Sequence, residues 1–258
     1  MTGHPSRDAF RTMNMAFPPK IADAAHRLKH AAAELNEAFA PRRSTFPDSV
    51  TPAQLAEAAD QFMAVMARID QEEGETGPIF KDDVSKLGEY GLTVLMDLAT
   101  WATQLDLDEP RRALEQAAIA AAYWIMRHDG EIRALEPVVN ALANYANRSH
   151  NPVELSALAA FMGRAAQAAP AIVRQDLEKA NPARAWRLLH LNRGIVATRS
   201  HNPLLMEQVF DELVRQLPDD APAFFAEGMQ QMEALGYPPP VQQVLRRYFD
   251  RWTRPTLH

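Results

Sequence analysis

Arg148-Ser149-His150-Asn151-Pro152 returns 51 positions further along as Arg199-Ser200-His201-Asn202-Pro203. Asparagine is a good N-cap, because its side-chain oxygen accepts from a backbone N–H of the first helical turn. Proline suits the position just after it, where its fixed φ fits and its missing N–H costs nothing. Each pentapeptide therefore reads as the turn between two helices. The match resumes after one inserted residue, with Ala169-Pro170-Ala171 against Ala221-Pro222-Ala223. Two matches in nearly one register point to an internal duplication, with residues 134–180 corresponding to 185–232. A fainter echo lies upstream, where Trp101-Ala102 before Glu109-Pro110 resembles Tyr145-Ala146 before Asn151-Pro152. A helical unit that cannot cover its own apolar face stacks on its neighbours. The expected fold is all-α: stacked antiparallel helices in an α-solenoid-like repeat.

Outward from the repeat, the helical period continues. Ile21, Ala25, Leu28, Ala32, Leu35 and Phe39 share one helix face, as do Leu55, Phe62, Met66 and Ile69. Thr51 is placed as an N-cap, Pro52 at the first helical position and Gln54 for a capping box. Gln71 to Pro78 (QEEGETGP) reads as a loop and an internal boundary. Further helices are expected near 83–105, 109–127, 131–147, 152–168, 170–180, 182–199, 203–216, 221–235 and 239–252. Alternating β-branched runs are missing. Residues 1–17 read as a flexible arm, 18–70 as an N-terminal helical hairpin and 83–253 as the helical-repeat domain. Thr253 to His258 reads as a loose end.

The stretch Leu213 to Leu245 carries a proline–acidic turn followed by a helix with a mid-helix Gly228. It resembles a tetratricopeptide-type unit, although the family's aromatic–Leu–Gly–Tyr pattern is absent and the spacing differs. The resemblance covers the carboxy-terminal half. It implies a right-handed stack of helices used as a binding surface, and it transfers no binding residue.

Composition narrows the function classes. The chain has 258 residues, is 47% hydrophobic and contains no cysteine, so disulfides, thiolate zinc sites and cysteine nucleophiles are excluded. A net charge of −6 argues against nucleic acid and anionic membrane as partners. The first twenty residues lack the apolar run of a signal peptide. The longest apolar run, Ala117 to Met126, is about half of what a bilayer needs. A soluble, cytoplasmic protein is expected.

The residue types that carry chemistry have plain structural readings beside them. The histidines of the two turns, His150 and His201, are candidates for a shared ligand role, although a duplicated hairpin would contain such turns in any case. His26 and His30 have a metal-capable spacing but face solvent beside Arg27 and Lys29. His128-Asp129 resembles the paired ligand of all-α HD phosphohydrolases, and is followed by Gly130 at a turn. Asp82-Asp83 and Asp219-Asp220 lack the third carboxylate of an isoprenoid-type magnesium site and fit helix caps better. Residues 181–202 hold Arg184, Arg187, Arg193, Arg199, His190 and His201 with no carboxylate. Trp186 lies among them. Arg184, Arg187 and Arg199 fall on one side of an ideal helix and Arg193 opposite. Acids such as Asp176, Glu178, Glu207 and Asp211 are the neutralising partners expected if the stretch is structural. There is no phosphate-binding glycine loop and no nucleophile elbow.

The expected function is a non-enzymatic adaptor or scaffold that binds a protein or peptide partner, an acidic one if Arg184, Trp186, Arg187, Arg199, His150 and His201 form the surface. No cofactor and no metal are called for. An uncovered apolar face at an end of the stack would favour a homodimer. The alternative is an all-α metal-dependent hydrolase using His128 and Asp129.

Overall fold

The computed structural model describes residues 17–46, 50–74, 79–175, 181 and 184–253. Eleven α-helices and one 3-10 turn account for most of them, and no strand occurs among the described residues. The helices are α1 (Ile21–Phe39), α2 (Pro52–Glu73), α3 (Lys81–Gln104), α4 (Asp108–Arg127), α5 (Leu135–Arg148) and α6 (Pro152–Gln167). They continue as α7 (Ala171–Arg174), α8 (Ala185–Arg199), α9 (Pro203–Gln216), α10 (Ala221–Leu235) and α11 (Pro239–Thr253). The fold is all-α. The expected arm at residues 1–16, residues 75–78 of the expected loop, residues 176–180 and 182–183, and the end at 254–258 lie outside the described residues.

The expected starts and stops have physical causes that the structure displays. Thr51 and Gln54 form the capping box: Thr51 Oγ1 accepts from the Gln54 N–H at 3.4 Å, and the Thr51 N–H donates to Gln54 Oε1 at 3.0 Å. α2 then runs to Glu73 and ends at Gly74, whose φ of +78° is left-handed. The helix expected from 131 instead starts at Leu135. The Glu131 N–H donates to Ser85 Oγ at 2.8 Å and the Ile132 N–H to the Ala168 carbonyl at 2.9 Å. Those donors tie the segment to α3 and to the end of α6 rather than opening a helix.

α1 packs on α2 and α4, and α3 packs on α2 and α4, so the first four helices close on one another. Helix α4 is the centre of that group: Ala117 to Ala122, Trp124 and Ile125 are all buried. Its alanines let neighbours approach closely on several sides. Close approach also explains a glycine: a Cβ on Gly91 would lie 2.3 Å from the Phe62 ring, so α3 meets α2 where only glycine fits. Helix α5 leaves this group, touching α3 and α4 on one side and α8 on the other. α6 packs on α8, α8 on α9, and α11 on α9 and α10. One hydrophobic cluster runs from Ala24 to Tyr248.

The duplicated pentapeptide occupies matching places. Asn151 caps α6, with Oδ1 accepting from the Val153 N–H at 2.9 Å; Asn202 caps α9, accepting from the Leu205 N–H at 3.2 Å. Below that level the two copies differ. Ser149 is extended (ψ 135°) whereas Ser200 is helical (ψ −11°), and His201 takes a left-handed φ of +53°. α9 packs mainly on the helix before it, while α6 leans on α8. Identical turn residues thus serve two chain reversals of different geometry.

Candidate functional site

The basic stretch of α8 is spent inside the molecule. Arg184 is the N-cap of α8, and one of its Nη groups donates to the Val173 carbonyl. Its guanidinium also lies 5.9 Å from the Trp186 ring centroid, and burial lowers its pKa. Arg187 grips Asp220, the N-cap of α10, with Nε to Oδ2 at 3.0 Å and Nη2 to Oδ1 at 2.5 Å. Arg193 crosses between helices, donating to the Ala159 carbonyl at 3.1 Å and pairing with Glu212 at 2.5 Å. Arg199 donates to the carbonyls of Ala146 and Ser149 at 2.9 and 2.7 Å, capping the end of α5. Among the described residues the neutralising acids are therefore Asp220 and Glu212. Of those expected, Glu207 pairs instead with Arg247, Asp211 accepts from the Tyr248 hydroxyl at 2.6 Å, and Asp176 and Glu178 lie outside the described residues. Trp186 is buried, while His150 and His201 are exposed, the latter with its ring against Tyr237. The six residues do not assemble into one surface.

His128 and Asp129 have a local task. The Asp129 N–H bonds to the Met126 carbonyl and the Gly130 N–H to the Ile125 carbonyl, with Asp129 at φ +56°. That is a Schellman cap ending α4. His128 Nε2 lies 3.2 Å from Asp70 Oδ1, which also accepts from Trp124 Nε1 at 2.9 Å, while Arg127 pairs with the other carboxylate oxygen. These donors pin the end of α2 to α4. No group of three or more His, Asp or Glu suited to a metal occurs among the described residues, and His26 and His30 are exposed.

A broad concavity lies elsewhere, and no motif signals it. A hollow of about 820 Å³ runs between α3, α4 and α5. Leu95, Ala99, Leu114 and Ala118 form its floor; Thr100, Thr103, Asp106, Asn140 and Asn144 stand along its edges. A second hollow of about 480 Å³ continues it toward α7 and α8, lined by Leu135, Ile172, Val173 and Arg184. Met96, Glu136 and Pro137 line both, so the two hollows adjoin along one trough.

The trough wall is braced by a buried carboxylate. Glu115 accepts from Arg111 and Asn144, each at 2.7 Å, and from Arg148 at 3.0 Å. Three donors satisfy a charge that would otherwise be costly to bury. Arg111 also reaches Asp108 at 2.7 Å, and that hydrogen bond lowers the Asp108 pKa. Arg133, at the far end, is held by Asp82 at 2.7 Å. Arg111 and Arg133 are thus matched by carboxylates and Arg184 donates to a backbone carbonyl, whereas Asp106 and Glu136 have no ion-pair partner among the described residues. The surplus charge of the trough is negative. Only the spacing of Arg111 and Glu115 on one helix face was visible in the sequence; Asn144, Arg148 and Glu136 converge through tertiary packing.

Beside the trough is a smaller hollow of about 350 Å³ between α6, α7, α8 and α9, with Trp186 in the wall between them. Trp186 is 2% exposed and His190 3%. Their rings meet edge-on with centroids 4.4 Å apart, and neither Trp186 Nε1 nor His190 Nε2 has a hydrogen-bond partner among the described residues. A buried polar atom left unpaired costs about 1–3 kcal/mol. Burial depresses the His190 pKa to about 4, with Arg193 adding to the effect and Glu212 opposing it. No helix among the described residues is long and apolar enough to cross a membrane. No family model, no curated protein and no solved structure matches the chain, so what these surfaces do rests on their own geometry.

Proposed function

We propose that the protein is a non-enzymatic binding protein that takes a segment of a partner protein into the trough across α3, α4 and α5. The observation that carries this reading is the adjacency of the two hollows, which share Met96, Glu136 and Pro137. An apolar floor with polar edges is what a bound segment requires, since buried apolar contacts supply affinity and a few polar groups fix register. Ile172, an exposed apolar side chain at the far end, extends the floor. Because Asp106 and Glu136 carry the unmatched charge, the segment is apolar with a cationic residue rather than acidic. The arginines of α8 favour this revision: recruiting Arg187 or Arg199 for an acidic partner would break bonds that hold α8 to α10 and α5.

The same proposal includes a helical-repeat origin, which the matching caps at Asn151 and Asn202 support, and a tetratricopeptide-like use of stacked helices as a platform. A random-peptide library selected on the immobilised protein tests the function. Ala143→Trp places a bulky ring in the trough from a half-exposed position outside the core. Expected is enrichment of apolar peptides containing Lys or Arg that bind wild type, lose at least tenfold in affinity on Ala143→Trp, and weaken on Glu136→Lys. Equal binding by Ala143→Trp at unchanged melting temperature rejects the trough as the site.

A further inference from the structure

Trp186 and His190 are adjacent on one face of α8, each almost wholly buried, and each leaves its ring Nε without a partner among the described residues. Interiors of folded proteins pair nearly all such atoms, and one that is unpaired calls for a specific explanation. Both residues line the hollow of about 350 Å³, which is ringed by the long, exposed side chains of Gln167, Arg174, Gln175 and Gln216. The two orphan nitrogens belong to residues that line a space large enough for a small organic molecule. We propose that this hollow is a binding site for a small monocarboxylate, whose two oxygens accept hydrogen bonds from Trp186 Nε1–H and His190 Nε2–H, with Arg174 supplying the opposing charge at the rim.

The charge balance selects this class. Trp186 can only donate, so the ligand must present an acceptor. A neutral imidazole donates from Nε2 in one of its tautomers, so the pair can offer two donors side by side. The remaining charged groups facing the histidine are Arg193 and Glu212, and they neutralise each other at 2.5 Å. Arg174 is exposed and forms no ion pair among the described residues, which leaves a surplus of one cation. One positive charge with a carboxylate close by suits a monoanion and disfavours a doubly charged phosphate. Turning the exposed glutamines aside opens the way to the buried nitrogens.

The experiment is a titration of the full chain with sodium acetate, compared with sodium chloride and sodium phosphate at matched ionic strength. The readouts are the indole N–H resonance of Trp186 and the ring C–H resonances of His190. Trp186→Phe assigns the indole signal by its loss; if that variant does not fold, through-bond assignment replaces it. Expected is a saturable shift of both residues with acetate, weakened at least tenfold in Arg174→Gln, a surface change that leaves the melting temperature intact. Any of three results overturns the proposal: no saturable shift, meaning that the orphan atoms are satisfied by water alone; an equal response to chloride or a stronger one to phosphate; or an acetate response that Arg174→Gln leaves unchanged.

Discussion

At the scale of single residues, backbone conformation decides between readings that side-chain chemistry leaves open. Asp129 beside His128 looks like half of a metal site, yet its φ of +56° and the two hydrogen bonds of the Schellman cap give it a job that glycine does equally well. Asp129→Gly should retain full stability in thermal unfolding. Asp129→Val should cost about 1–2 kcal/mol, because a β-branched residue resists the left-handed region. His190 makes the complementary case, where burial sets the chemistry. The unfolded chain protonates near 6.5 and the folded one only near 4. Between those values only the unfolded state takes up the proton, so the stabilisation is complete above pH 6.5 and is lost as the pH falls toward 4. The loss over that window is about 3 kcal/mol. Denaturant midpoints measured from pH 7 to 4 should fall less steeply in His190→Gln than in wild type.

At the scale of elements, most helices were legible in the sequence because their ends are local. Thr51 with Gln54, Asn151 with Pro152 and Asn202 with Pro203 each fix a helix start from a few adjacent residues. The start of α5 was not legible, because what delays it to Leu135 is a pair of hydrogen bonds to Ser85 and Ala168, both remote in sequence. The direction of Arg193 illustrates both sides. Helical spacing alone set it opposite Arg184, whereas its pairing with a carboxylate appears only in the structure. Its partner Glu212 and the room made by Gly163 belong to other helices. A Cβ at Gly163 would lie 2.6 Å from the Arg193 guanidinium. Gly163→Ala should therefore destabilise by about 1–3 kcal/mol through displaced packing, despite alanine's better helix propensity. The Arg193→Met background should relieve that cost, which a double-mutant cycle reads directly. Asn151→Ala and Asn202→Ala should each cost about 1 kcal/mol. The turn backbones differ, and Asn151 caps the second helical N–H where Asn202 caps the third, but each side chain satisfies one first-turn donor, so the two losses should be similar and additive.

At the scale of the whole molecule, periodicity predicted helices and the repeat predicted units, but neither specified which helices would meet. The trough depends on that choice. It exists because α5 turns away from the ring of α1 to α4 while still touching α3 and α4, which leaves the seam open. The same arrangement makes stability uneven. α4 is wrapped by α1, α3 and α5, and its Ala117 to Ala122 run is buried. α10 and α11 pack chiefly on each other and reach the remainder through α9, the Phe224 ring against Gly194 of α8, and the Arg187–Asp220 pair. Regions with fewer contacts to the body open at lower free energy. Native-state hydrogen exchange should therefore show α4 amides exchanging only with global unfolding, while those of α10 and α11 exchange by a smaller, sub-global opening. Arg187→Met removes a charged clamp between α8 and the start of α10. It should lower protection in α10 and α11 by about 1 kcal/mol or more, leaving α4 nearly unchanged, because the lost pair is half-buried and bidentate. If α4 and α10 lose protection equally, the carboxy-terminal helices are part of one cooperative unit and the clamp stabilises the whole of it.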